Sequence, residues 1–200
     1  MLYYERKFQK KGYPFIIGVD EVGIGPLAGP VVAAAVLLKS RRFKNRIDDS
    51  KKLSYSQREK AFVELSLKAV CGVGIVNEKI IDRLNILEAT RIAMEDAVND
   101  LLEKMVSCKQ EEMYILVDGT VKPRFTLPFT NIIKGDAKSQ SIASASIVAK
   151  VTRDRIMQVY DKVFPQYGFL RHKGYPTSEH RKALKEFGAS IIHRNSYNCV

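Results

Sequence analysis

The sequence predicts an α/β domain built on a mixed β-sheet flanked by helices, with a helical C-terminal part. Three observations carry that expectation. Two continuous apolar runs bounded by Gly and Pro lie near the start, helical and strand-like periods alternate further on, and no repeat or low-complexity linker divides the chain.

The runs PFIIGVDE (14–21) and PVVAAAVLL (30–38) have the composition of strands covered on both faces and should be neighbours joined by a short turn. Ser54 followed by Gln57 forms a capping-box pattern, opening a helix whose Ala61, Phe62, Leu65 and Ala69 recur at helical spacing. Ala69 to Asn77 reads as a third strand. Residues 86–106 align Ile86, Ala89, Ala93, Ala97, Leu101 and Met105 on one face of a long amphipathic helix. Strands are expected at MYILVD (113–118) and near Phe129 to Ile133. From Ser139 to Val163 the period is helical, with Ser141, Ala143, Ser144, Ala145, Ser146 and Ala149 small enough for close packing. The remainder reads as loop plus a helix near 177–187.

With 46% apolar and 28% charged residues over 200 positions, the chain can bury a core as a single domain spanning 1–200. No apolar run reaches the ~18 residues a bilayer span requires, and the charged start lacks the apolar stretch of a secretory signal. Cys71, Cys108 and Cys199 are an odd set without metal-ligand spacing, which points to free thiols in a reducing compartment, the cytoplasm by default. The scattered His172, His180 and His193 form no zinc motif and read as surface or packing residues.

The 33 basic residues exceed the 22 acidic ones, for a net charge of +11. The surplus lies at the two ends: residues 1–60 hold 13 basic against 6 acidic, and residues 151–200 hold 9 against 4. Such a surplus favours polyanionic partners through attraction to phosphates and release of counterions.

The chemistry concentrates in GVDEVGIGPLAGP (18–30). Alternation along a strand sends Asp20 and Glu21 to opposite faces, so both serve one site only if the backbone turns sharply, and Gly23, Gly25, Pro26 and Gly29 could supply the turn. Asp118 ends a second apolar strand, and Asp136 lies in KGDAKS just before the Ser/Ala-rich helix. Ligand sites of α/β sheets gather beyond strand ends, so these separated acids can converge. Four carboxylates without His or Cys call for hard cations, Mg²⁺ or Mn²⁺. Beside a basic surface they suggest phosphodiester cleavage by two ions roughly 4 Å apart. The alternative is ordinary turn carboxylates in solvent.

These residues also carry a family resemblance. The segments GVDEVGIGPLAGPVVAAAV, DDSKKLS, RLNILEATRIAM, LVDGT, KGDAKSQSIASASIVAKVTRDR, HKGYPTSEH and HRNSY, in that order, make the chain resemble bacterial type 2 ribonuclease H, ribonuclease HII. The resemblance implies a ribonuclease H-like sheet and a C-terminal helical substrate-binding segment from about 165 to 200. It also implies an enzyme that cuts RNA in RNA/DNA hybrids and single ribonucleotides within duplex DNA, in ribonucleotide excision during replication and repair, as a monomer. By that resemblance Asp20, Glu21, Asp118 and Asp136 are the catalytic and metal-binding acids, with Asp20 bridging two Mg²⁺ or Mn²⁺ ions, and the products end in 3′-hydroxyl and 5′-phosphate.

The same resemblance assigns the 2′-OH reading to Gly23-Ile24-Gly25, sugar packing to Tyr175 and a phosphate contact to Lys51; Asn85, opening the long helix, could touch substrate or simply cap, and Lys138 and Lys150 flank the small-residue helix, where their charge could offset the acids. A 2′-OH distinguishes RNA because it both donates and accepts hydrogen bonds. The family usually has Arg in the middle of the triplet, and Ile24 cannot pair with a phosphate. That departure defines the rival expectation, a hybrid-binding protein with weakened or lost turnover. A carboxylate-pair glycosidase would also use Asp and Glu, but it leaves the net charge unexplained.

Overall fold

The computed structural model describes residues 1–105 and 108–197, which leaves Cys199 outside the described residues. Five strands, β1 (Phe15–Val22), β2 (Val31–Leu38), β3 (Ala69–Val76), β4 (Met113–Asp118) and β5 (Phe129–Ile132), form one sheet in the order β3-β2-β1-β4-β5. β1 pairs antiparallel with β2 and parallel with β4, β2 pairs antiparallel with β3, and β4 pairs parallel with β5. The sheet is therefore mixed, as expected.

Seven α-helices accompany it among the described residues: α1 (Tyr3–Gln9), α2 (Tyr55–Lys68), α3 (Glu78–Leu84), α4 (Ile86–Glu103), α5 (Gln140–Val163), α6 (Phe169–His172) and α7 (Ser178–Phe187). None is long and apolar enough to cross a membrane. The box at Ser54 and Gln57 caps α2 reciprocally, and Ser139 accepts the Ile142 N–H to start α5. The long amphipathic helix ends at Glu103, before Met105, and is preceded by α3, which sequence periodicity did not single out. Asn85 separates the two with φ of 71° while its side chain accepts from the N–H groups of Leu87 and Glu88.

Alternate residues of the central strands face two cores. Ile17, Val19, Ala33, Ala35, Ile115 and Val117 pack on Ala89, Ala93, Ala97 and Leu101 of α4. Val32, Ala34 and Val36 pack on Leu65 of α2 and on Ala145, Val148 and Ala149 of α5. The approach of α5 to β1 is the tightest consequence of the small-residue stripe: a Cβ on Gly18 would lie 2.1 Å from the Ser141 carbonyl carbon. Only glycine permits that contact. The N-terminus of α5 is fastened by α1, whose buried Glu5 accepts from Ser139 Oγ at 2.7 Å and from the Ser141 N–H at 2.9 Å.

The C-terminal part has its own apolar cluster of Ala28, Met157, Tyr167, Phe169, Ala183 and Ile192. Beside it the three histidines meet, with His172 and His180 stacked at 4.5 Å. The Ser190 N–H donates to His193 Nδ1 at 2.9 Å, so neutral His193 carries its proton on Nε2 and donates to His180 Nε2 at 3.0 Å. His180 Nδ1–H in turn donates to the Tyr175 carbonyl at 3.0 Å. Further protonation would set donor against donor. Burial, followed by repulsion from His180, accordingly drives His193 down to about 4.

Because His193 is harder to protonate folded than unfolded, the unfolded chain binds more protons between pH 6.5 and 4, and stability falls as pH falls through that window. Allowing for solvent screening, the expected loss is ~2 kcal/mol by pH 4. Urea unfolding at pH 7 and 4.5 measures it, and the difference between the two should shrink in His193→Gln.

Candidate active site

The site forms where two parallel strands part. β1 pairs with β4 only as far as Val19 opposite Val117, yet continues beside β2 through Glu21 opposite Ala33 and Val22 opposite Val32. Asp20 and Glu21 thus lie on the free stretch of β1, and Asp118 closes β4. The turn expected at the acidic pair begins later, after Val22; the open strand end, rather than a bend, lets both acids act on Asp118. Asp136 occupies a single 3₁₀ turn, Gly135–Ala137, and the Gly135 N–H donates to Asp118 Oδ1 at 2.6 Å. One backbone bond therefore ties the third acid to the segment that carries the fourth.

The cluster is electrostatically strained. Burial, then Glu21 and Asp118, push the Asp20 carboxyl well above its usual range, against the lowering influence of the Ser146 hydroxyl and of the Glu21 N–H, which donates to Asp20 Oδ1 at 2.8 Å. Glu21 is raised by burial and Asp118, and Asp136 by burial, Asp118 and Asp49. Lys51 answers them: partial burial lowers it, but Asp49, Asp20, Asp136 and Asp118 outweigh burial and hold it above its ordinary value. Ser50, beside Lys51, meets Ser146 across 2.8 Å between hydroxyls, which seats this turn against α5. One oxygen of Glu21, Oε2, is buried with no hydrogen-bond partner.

Next to the acids the loop 23–30 folds under two buried arginines. Arg153 donates to the carbonyls of Pro30, Ala28 and Lys173, and Arg194 to those of Gly23, Ile24 and Gly29. Gly23 has φ of 102°, and a Cβ there would lie 2.5 Å from Arg153 Nε, so neither its backbone nor its space accepts another residue. Gly25 lies opposite Tyr175, whose Cε1 would be 3.9 Å from a Cβ at that position. Both Ile24 and Tyr175 are 37% exposed, so the two sides of this gap face outward.

The family profile described as Ribonuclease HII matches residues 17–200. The chain belongs to the ribonuclease HII family. The ribonuclease HII of Acetivibrio thermocellus is 50% identical over 198 residues, covering 98% of this chain and 75% of that protein. The ribonuclease HII of Syntrophus aciditrophicus is also 50% identical, covering 98% of this chain and 90% of its own. Among solved structures, the ribonuclease H2 of Pyrococcus horikoshii superposes with a TM-score of 0.71 at 26% identity, over 92% of this chain and 94% of that one. The expected ribonuclease H-like architecture is thereby borne out.

In this ribonuclease HII chain the remaining sequence-derived positions differ in what they touch. Lys51 belongs to the acidic centre, whereas Lys150 pairs with Asp154 at 2.7 Å and Lys138 donates to the Ile133 carbonyl at 2.8 Å. Asn85 spends its side-chain oxygen on the α4 cap. Ser146, Arg153, Arg194 and Tyr197 were not singled out for the site by sequence reasoning. Ser146 was hidden in a stripe of packing residues, and Arg194 and Tyr197 stand in HRNSY, a segment marked only by resemblance.

Asp118→Asn keeps an oxygen for the Gly135 N–H while removing a charge that repels its neighbours. In metal-free buffer it should stabilise the protein by ~1 kcal/mol, raising Tm by about 2–4 °C in differential scanning calorimetry. An unchanged or lower Tm would mean that the acids do not strain one another.

Proposed function

We infer that this ribonuclease HII family member is a metal-dependent endoribonuclease. It hydrolyses the RNA strand of RNA/DNA hybrids and cuts on the 5′ side of ribonucleotides embedded in duplex DNA. What carries the reading is that Asp20, Glu21 and Asp136, from two separate segments, are each raised by Asp118 of a third, beside the Gly23-Ile24-Gly25 loop and Tyr175. The net charge of +11 suits a polyanionic duplex.

The donor set fits divalent cations. All four groups offer hard oxygen, and the orphaned Glu21 Oε2 is a buried acceptor awaiting a positive partner. Among the described residues no three His, Cys, Asp or Glu side chains form a cage around a single ion. Mg²⁺ and similar ions are commonly held by one or two carboxylates together with substrate phosphate and water, so the substrate would complete the coordination. When bound, such ions supply positive charge that activates water and steadies the leaving oxygen. Mg²⁺ and Mn²⁺ both match this chemistry.

The chain's own groups do the rest. Asp20 and Glu21 approach from β1 and Asp118 and Asp136 from β4 and the turn after β5, so the scissile phosphate would lie between them. Lys51 would offset phosphate charge on the α5 side of the cluster. The triplet would meet the 2′-OH through backbone groups while Tyr175 packs on the neighbouring sugar, fixing which phosphate faces the acids. Water adds to phosphorus as the bond to the preceding 3′-oxygen breaks. That oxygen leaves as a hydroxyl, and the phosphate stays on the ribonucleotide's 5′ side. The segment from about 165 onward carries Tyr175 and serves as the substrate-binding part of a single catalytic domain.

Asp20→Asn and Asp118→Asn should each lower cleavage of a duplex with one ribonucleotide by at least ~100-fold while binding survives. EDTA should abolish cutting, and Mg²⁺ or Mn²⁺ should restore it. Full activity in both variants, or cutting in EDTA, would refute the proposal, and binding without any cutting by the unaltered protein would establish the non-catalytic rival. Ile24→Arg should tighten binding of that duplex about 3- to 10-fold at fixed salt, measured by fluorescence anisotropy, since it adds one charge-assisted phosphate contact.

A further inference from the structure

We propose that Arg194 and Tyr197 form a positioning strap that holds the Gly23-Ile24-Gly25 backbone in the shape that recognises a ribonucleotide. The proposal rests on the nuclease reading and assigns the C-terminal HRNSY segment a task within it.

The strap is built in three tiers. At the outside, Asp82 of α3 accepts the Asn195 N–H at 2.9 Å, the Ser196 N–H at 3.0 Å and the Ser196 hydroxyl at 2.7 Å, locking the turn after Arg194. That turn presents Arg194 and Tyr197 inward. Arg194 is fully buried: its Nη2 donates to the Gly23 carbonyl at 2.7 Å, its Nε to Gly29 at 2.9 Å, and its Nη1 to Ile24 at 3.1 Å. Tyr197 accepts from Arg194 Nη1 at 3.0 Å and donates its own hydroxyl proton to the Ile24 carbonyl at 2.6 Å.

The innermost tier is the loop itself. The Arg194 N–H donates to the Leu27 carbonyl at 2.8 Å, and the Gly29 N–H to the Ile192 carbonyl at 2.9 Å, so main chain joins main chain on the far side of the same loop. A buried cation is costly unless its donors are met. Here the guanidinium is met by loop carbonyls and one hydroxyl, a planar fork that a lysine cannot reproduce. Arg194 therefore depends on the loop's shape as much as the loop depends on Arg194.

The arrangement also decides which triplet atoms remain for a ligand. Two donors already occupy the Ile24 carbonyl, which has two lone pairs, so it is closed to a 2′-OH proton. Among the described residues the Gly23 carbonyl accepts only one bond, so recognition falls to the triplet N–H groups and the Gly23 and Gly25 carbonyls. The strap holds those groups in place without itself touching substrate.

The test compares affinities for two duplexes that differ by one 2′-OH, an all-DNA duplex and the same duplex with one ribonucleotide, measured in EDTA so that neither is cut. Tyr197→Phe should reduce the preference for the ribonucleotide at least 5-fold, and Arg194→Lys further still. Hydrogen exchange should accelerate at the amides of residues 23–29 but not in β4. A ratio of affinities is insensitive to a loss of folded protein, which separates positioning from simple stability. Tyr197→Phe removes one hydroxyl and keeps the proposal falsifiable if Arg194→Lys does not fold. An unchanged ratio in Tyr197→Phe, with the unaltered enzyme cutting normally, overturns the strap alone. Failure of the unaltered enzyme to cut with Mg²⁺ or Mn²⁺ overturns the nuclease reading instead.

Discussion

The contact of α5 with β1 is the constraint on which the site depends. Because position 18 has no side chain, the helix lies directly on the strand, and its successive turns then reach everything that matters. Ser146 meets Ser50 and acts to lower the Asp20 pKa, Arg153 reaches the carbonyls of Ala28 and Pro30, and Met157 enters the C-terminal cluster. The helix start is held in turn by Ser139 and by Glu5 of α1. One element thus sets the spacing between the acidic centre and the loop 23–30.

Two opposite electrostatic problems are solved side by side. On one flank four carboxylates crowd together, relieved by Lys51, by hydroxyl and backbone donors and, in the proposed nuclease, by divalent ions. On the other flank two arginines are buried; burial, then the neighbouring Arg194, pulls Arg153 down to about 10, so it remains a cation at neutral pH. Backbone carbonyls satisfy both guanidiniums. The first arrangement leaves a demand for a ligand and the second leaves none, which is why one suits chemistry and the other suits support.

Much of the fold could be read from the chain because burial on both faces of the sheet writes long apolar runs, and because Ser54 and Ser139 are unambiguous helix starts. The short helices α1, α3 and α6 escaped, since seven or fewer residues leave little periodicity to detect. The acids were legible as strand-end residues, but the manner of their meeting was not. Alternation suggested a sharp bend at Asp20 and Glu21, whereas the unequal lengths of the β1–β2 and β1–β4 ladders open the space instead. Ser146 could not be told from its small neighbours, and an arginine near the C-terminus gives no local sign that its donors end on carbonyls more than 160 positions earlier.

Those long-range bonds bear on how the protein is made. Residues 23–29 leave the ribosome long before the guanidinium that meets their carbonyls has been made. A nascent chain can assemble the sheet and gather its carboxylates well before it can read a sugar. If the strap acts as we propose, discrimination is acquired later in synthesis than the acidic centre, and a chain broken off before Arg194 would lack that anchor while keeping every one of the acids.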